Sequence, residues 1–302
     1  KNKKMKSGTV AIIGKPNVGK STILNAITGS KISIVSKHPA TTRFRIIGVK
    51  TTDSYQIVFV DTPGIEKTRN RLGEIMQNNI TAAIEDADII VIVLDATHID
   101  SEDERIIQQI NTKIRNKKII VALNKIDRVK PRTEVLSIID RLTSHYNLKE
   151  IVPCSALTGE NISEIERVIA ENLSEGELIF PKDYTDTFPQ TYKISEIIRE
   201  KVFEHVYQEI PHSIAVEVEE IKPGDKNPDM VVITATIVVE KDNQKKMVIG
   251  KNGEKLKIIG SKARREIEIM LGKKVYLQIR VKTIEKWRDR PDIFGRFGYG
   301  SI

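Results

Sequence analysis

Five short aliphatic runs recur through the first half of the chain: Val10–Ile13, Ile57–Val60, Ile89–Leu94, Ile119–Leu123 and Ile151–Cys154. Each is rich in β-branched residues, too short for a helix and too continuous for a strand with one wet face, so the set predicts strands covered on both sides. Between them, Lys20–Thr28, Leu72–Ile84, Ser101–Ile114, Thr133–Tyr146 and Asn161–Leu173 carry helical periodicity. That alternation is the βαβ rhythm of a doubly wound α/β domain with a mostly parallel sheet. Ile46–Thr51 and Tyr55–Val60, joined through Asp53-Ser54, read as a hairpin, which makes one strand antiparallel. The domain is assigned to residues 1–173.

Residues 174–190 change character, with Gly176, Pro181 and Pro189 and no sustained apolar period, and read as a linker. Residues 191–302 follow a different order. A helix near Tyr192–Gln208 precedes a strand at Ser213–Ile221, a turn around Pro223-Gly224, and a strand at Met230–Glu240. A short apolar turn, Met247–Ile249, then leads through Gly250-Lys-Asn-Gly253 into a long helix, Glu254–Leu271, and a last strand bearing Val275, Leu277, Ile279 and Val281. Both earlier strands alternate like a half-exposed sheet. Leu256, Ile259, Ala263, Ile267 and Met270 form the expected core face of the long helix.

Composition narrows the function classes. With 302 residues, 39% hydrophobic, two cores are expected and disorder is excluded. No apolar run approaches a membrane span, and the run after Lys1–Lys6 is too short for a signal-peptide core. The single cysteine, Cys154, forms no internal disulfide, so a cytoplasmic address is expected. The net charge of +8 is unevenly spread: residues 241–302 hold 17 basic against 7 acidic side chains, a +10 block suited to a phosphate backbone.

Gly14-Lys15-Pro16-Asn17-Val18-Gly19-Lys20-Ser21, followed by Thr22, joins the first strand to the first helix. In this pattern backbone N–H groups turn toward phosphate oxygens, the helix N-terminus adds positive charge, Lys20 reaches the outer phosphates and Ser21 offers a hydroxyl to Mg²⁺. Asp61-Thr62-Pro63-Gly64 ends the next buried strand, where a carboxylate can serve Mg²⁺ and a glycine N–H can meet the γ-phosphate. Between them, His38–Arg43 carries two hydroxyls, and Thr42 (or Thr41) is expected to complete the metal shell. Asn124-Lys125-Ile-Asp127 ends the fourth run. A carboxylate at Asp127 accepts from guanine N1–H and its exocyclic amine but repels adenine, so it selects GTP. Asn124 would brace the loop, the Lys125 stem would cover the ring, and Ser155-Ala156-Leu157 would bring a backbone N–H to the guanine oxygen.

Five segments in this order resemble the nucleotide-binding motifs of translation-factor-class GTPases of the Ras-like fold. The resemblance implies GTP/GDP and Mg²⁺ as ligands and GTP hydrolysis as the reaction. Ile65 stands where Ras-type members carry a water-orienting glutamine, and no residue takes the part of general base, so a slow intrinsic rate is expected. In the hydrophobic-substituted members an asparagine placed like Asn17 is associated with K⁺, which makes Asn17 a candidate K⁺ ligand beside its simpler part in capping the loop.

Gly250-Lys251-Asn252-Gly253 is weak as a motif, since Gly295 and Gly298 share its spacing. Its setting between two helices of a helix–strand–strand–helix–helix–strand order resembles a type II KH domain, whose Gly-x-x-Gly loop clamps single-stranded nucleic acid. Lys251, Lys255, Lys257, Lys262, Arg264 and Arg265 are the expected phosphate contacts. Beyond them Trp287, Phe294, Phe297 and Tyr299 interleave with arginines, a pattern that suits either base stacking or, for Trp287, packing on the sheet ahead of a frayed terminus. His205 and His212 read as structural.

A Ras-like GTPase domain followed by a smaller α+β type II KH domain resembles the Era-type GTPases. That resemblance implies binding to small-subunit ribosomal RNA near its 3′ end, a part in 30S assembly, no DNA partner, and a peripheral membrane association on which the sequence is neutral. The alternative is a constitutive RNA-binding module whose nucleotide only stabilises the fold.

Overall fold

A computed structural model describes residues 5–33, 43, 46–65, 70–113, 117–146, 148–186, 188–206, 213–225 and 227–297. They fall into two compact units, one formed mainly before Phe188 and one from Phe188 onward.

The first unit is built on strands β1 (Lys6–Ile13), β2 (Ile46–Thr51), β3 (Tyr55–Asp61), β4 (Ile89–Asp95), β5 (Lys118–Asn124) and β6 (Glu150–Pro153). Their order is β2-β3-β1-β4-β5-β6, with β2 antiparallel to β3 and the other pairings parallel. Helices α1 (Lys20–Thr28), α2 (Arg71–Asp86), α3 (Ser101–Lys113), α4 (Glu134–Tyr146) and α5 (Ile162–Asn172) connect them. Ile89 to Leu94 are each no more than 1% exposed, as a run with no polar alternation requires. The chain adds β3 on one side of β1 and β4 on the other. This strand-order reversal opens a crevice at the carboxyl ends of the strands. Residues 174–186, read as linker, run along this unit. The fully buried Gln56 donates to Phe180 O at 2.9 Å and accepts from the Ile179 and Phe180 N–H groups at 2.8 and 2.9 Å.

The second unit comprises α6 (Gln190–His205), β7 (Ala215–Pro223), β8 (Val231–Val239), α7 (Asp242–Ile249), α8 (Glu254–Leu271) and β9 (Val275–Thr283). β8 is the middle strand, antiparallel to β7 and parallel to β9. A parallel neighbour needs a crossover, which α7 and α8 supply. Val216, Ile233, Ala235, Ile237 and Val239 pack with Ile194, Ile198, Val248, Ile259, Ala263 and Ile267 in one core.

Three expectations change. Met247–Ile249 is the end of helix α7, not a turn; the helix opens with polar Asp242–Lys246, which shows no apolar period, and Gln244 Oε1 caps it by accepting the Lys241 N–H at 3.0 Å. Met270 is 37% exposed, and Leu271 packs against the core instead. The tail does not fray through Phe297. Trp287 is fully buried, donates Nε1–H to Ser213 O at 2.7 Å, and meets Phe294 and Phe297 edge-on at 6.5 and 5.3 Å between ring centroids. Those rings are therefore occupied with one another rather than free to stack on bases. Tyr299 and His212 lie outside the described residues, whereas His205 Nδ1 bonds Lys201 O at 2.8 Å, a local helix contact.

Candidate nucleotide site and nucleic-acid groove

Four of the five nucleotide segments sit at or just beyond the carboxyl end of a parallel strand. The phosphate loop leaves β1, Asp61 ends β3, Asn124 ends β5, and Ser155 follows β6. Gly19 caps α1 with φ 102°, and a Cβ there would run into the Asn124 amide. Only glycine fits, and a glycine at the N-cap brings no side chain of its own to the start of α1. Such a helix start favours an anion. Lys20 Nζ donates to Lys15 O at 2.7 Å and to Gly14 O at 3.1 Å, so it is already folded back over the loop.

Ser21 Oγ donates to Asp61 Oδ2 at 2.8 Å, and Ser33 Oγ reaches the same oxygen at 3.2 Å. A hydroxyl and a carboxylate together are hard oxygen donors that suit Mg²⁺. Thr62 turns away, donating to Ile12 O at 2.8 Å. Ile65 N–H donates to Gly14 O at 3.1 Å, tying the segment after Asp61 to the phosphate loop. Thr42, Thr41 and the rest of residues 38–42 lie outside the described residues.

Asn124 joins three loops. Its Nδ2 donates to Val18 O at 2.8 Å, and its Oδ1 accepts the Ala156 N–H at 2.9 Å. Lys125, at φ 64°, spans from β5 to the phosphate loop: Nζ donates to Asn17 O at 2.7 Å and to Asp95 Oδ2 at 2.6 Å. Burial pushes the Asp95 carboxyl up, but hydrogen bonds from Lys125 and Thr97 overcome it and hold the group below the usual carboxylate range. Asp127 lies in the same turn, its side chain 20% exposed. Ser155 is buried and Leu157 largely exposed. Lys15, expected among the phosphate ligands, instead pairs with Asp100 and Asp103. Asp95 and Ser33 are absent from the motif analysis. Asp95 carries a readable signal, since a carboxylate ending a central parallel strand faces the ligand crevice.

In the second unit, Gly250, Asn252 and Gly253 all have positive φ, and a Cβ at Gly253 would meet nothing within 4 Å. The loop is thus open to close approach by a backbone. It borders a groove of about 520 Å³ between α8 and β9, lined by Gly253, Leu256, Lys257, Gly260, Ser261, Arg264, Leu277 and Ile279. The floor is apolar and the rim basic, which matches bases against phosphates. The expected cations divide here. Lys257 and Arg264 line the groove with Gly253, whereas Lys262 lies 3.8 Å from Glu204 and Arg265 lines a second concavity with Lys273 and Lys274. Lys255 packs its Cβ where a Cβ on Gly250 would stand, and Lys251 is exposed in the loop. Gly260 and Ser261 escaped the sequence reading although two small residues in mid-helix, seven and eight positions after Gly253, mark the face that something approaches.

Family models match a stretch of each unit. The family model described as "50S ribosome-binding GTPase" matches residues 9–125, and the KH domain model matches residues 209–288. GTPase Era of Aquifex aeolicus (strain VF5) is 46% identical over 300 residues, covering 98% of this chain and 99% of the relative. A crystal structure of Era in complex with MgGDPNP and nucleotides 1506–1542 of 16S ribosomal RNA superimposes with a TM-score of 0.95, at 46% identity over 98% of this chain and 100% of that one. An Aquifex aeolicus Era variant bound to GDP·AlF4⁻ gives a TM-score of 0.94, with the same identity and coverage. Among the described residues no helix is long and apolar enough to cross a membrane.

Proposed function

The chain belongs to the Era family of GTPases, and on that premise we propose that it is a GTP-driven switch that binds small-subunit ribosomal RNA near its 3′ end and acts in maturation of the 30S subunit. One observation carries the reading: a phosphate loop joined to a base loop through Asn124 and an open Gly-x-x-Gly groove occur in one chain.

The residues divide the work. Asp127 selects guanine, and Asn124 keeps the base loop in register with the phosphate loop. Lys20 leaves the carbonyls of Gly14 and Lys15 for the outer phosphates. Ser21 and Asp61 would hold Mg²⁺, which when bound neutralises charge on the phosphates. Ile65 cannot orient a water, so turnover is slow until a cation or partner completes the site. Asn17, at φ 63°, is the proposed K⁺ ligand, and equal GTPase rates in sodium and potassium would remove it. A γ-phosphate contact at Gly64 changes the RNA affinity of the KH unit.

The test is fluorescence anisotropy with a single-stranded RNA matching the 3′ end of 16S ribosomal RNA, on protein loaded with GDP or a non-hydrolysable GTP analogue. Unequal affinities are expected. Equal affinities would make the chain a constitutive RNA clamp, and no binding in either state would remove the groove as an RNA site. Cosedimentation with isolated 30S and 50S subunits is expected to favour 30S. We place the protein in the cytoplasm; flotation with anionic vesicles tests the finer reading of a peripheral membrane association.

A further inference from the structure

Lys15 lies inside the phosphate loop, yet its ammonium is engaged elsewhere. Nζ is 2.8 Å from Asp100 Oδ2 and 2.7 Å from Asp103 Oδ2. Both carboxylates belong to the start of α3 and are fixed there by reciprocal caps. Asp100 Oδ1 accepts the N–H groups of Glu102 and Asp103 at 3.0 and 3.2 Å, and Asp103 Oδ2 accepts the Asp100 N–H at 3.1 Å. His98 Nε2 approaches Asp100 from the exposed side at 3.4 Å. The Asp103 side chain is fully buried, and its Oδ1 has no hydrogen-bond partner among the described residues. A buried carboxylate so placed depends on its cation.

The main chain of the same residue has a second part. Lys15 O and Gly14 O accept the Lys20 ammonium, and Gly14 O also accepts the Ile65 N–H. The α3 carboxylates hold Lys15, Lys15 holds its peptide, and that peptide seats Lys20 and ties down the residue following Gly64.

We propose that Lys15 is a positioning residue for the GTP-bound state, anchored by Asp100 and Asp103 so that Gly14 O keeps its hold on the Ile65 N–H and the Gly64–Ile65 turn stays in register. The inference rests on this site being the nucleotide site. The Gly64–Ile65 turn meets only the γ-phosphate, so loosening the anchor weakens GTP binding and spares GDP.

The test is fluorescence titration with labelled GDP and a labelled non-hydrolysable GTP analogue on wild type, Lys15→Met, Lys15→Arg and Asp103→Asn, with Lys20→Ala as the control. Lys15→Met is expected to lose about tenfold in affinity for the GTP analogue, about 1.4 kcal/mol, and less than about threefold for GDP. Lys15→Arg restores the ratio, because a guanidinium fork reaches two carboxylates. Asp103→Asn keeps the shape and shifts the ratio in the same direction as Lys15→Met. An unchanged GTP-to-GDP ratio in Lys15→Met, or in Asp103→Asn should Lys15→Met not fold, overturns the proposal. Equal loss of both nucleotides without rescue by arginine overturns it too, since the pair would then be a fold contact only. Failure of the wild type to bind guanine nucleotides, or normal binding by Lys20→Ala, is a separate result that strikes the nucleotide-site assignment itself.

Discussion

Asn124 is the side chain on which most of the nucleotide site converges. It is 2% exposed, and both ends of its amide are bonded to loops other than its own. Asn124→Ala leaves Val18 O and the Ala156 N–H without that partner, which costs about 1–3 kcal/mol; we expect a lowered Tm together with weakened GDP binding, read by calorimetry. Asp127 has no such structural debt. Asp127→Asn is expected to leave unfolding free energy within about 0.5 kcal/mol of wild type and to turn preference from guanosine toward xanthosine nucleotides, and retained preference for GTP in a competition assay would mean the base contact lies elsewhere. Cys154 is fully buried beside Asn124, and burial pushes its thiol up to about 12. Native protein should therefore resist thiol reagents at pH 8 and react with one equivalent once unfolded. The unfolded chain ionises this thiol near its ordinary value of about 8.5. Because the folded state keeps the proton, the thiol's contribution to stability is whole below that value and is lost as pH rises toward about 12.

At the scale of elements, contiguity decides what could be read in advance. The phosphate loop, Asp61–Gly64 and Asn124–Asp127 are single runs whose placement follows from the strands they terminate, and α1 and α8 begin and end where the pattern puts them. The groove is different. Leu277 and Ile279 meet Gly260 and Arg264 only because β9 pairs with β8 after a two-helix crossover, a long-range event that leaves no local signature. For the tail, the expected packing of Trp287 on the sheet holds, while the expected fraying beyond it does not reach Phe297. Alternating aromatic and basic residues suit base stacking and a folded cap equally well, and only the Trp287–Ser213 bond separates the two. Trp287→Ala should cost about 3–5 kcal/mol and be felt by the second unit alone, which amide exchange resolved by segment would show. Gly253→Asp places a charge at the open loop. It should weaken RNA binding at least tenfold by repelling phosphate while its positive φ costs about 1–2 kcal/mol. Undiminished RNA binding would dismiss the loop as the contact.

For the whole molecule, charge is allotted by function. The +10 block covers the groove and tail, while residues 181–240 carry an excess of acid, 12 against 6. If Lys251, Lys257 and Arg264 each meet one phosphate, log K against log salt should fall with a slope of about −2 for a single strand. A double Lys257→Ala, Arg264→Ala variant should bring that slope to about −0.7, and an unchanged slope would assign the contacts to other cations. The bond from Trp287 back to Ser213 also sets an order of events in synthesis. Domains tend to fold as units while the chain is being made, the N-terminal one first. All six strands of the nucleotide unit precede Ser155, whereas the KH sheet waits for β9 and its cap waits for Trp287. The nucleotide unit of a nascent chain is thus expected to be folded while the KH sheet still lacks its last strand and its aromatic cap, so any RNA bound through that sheet meets a chain whose first unit is already in place.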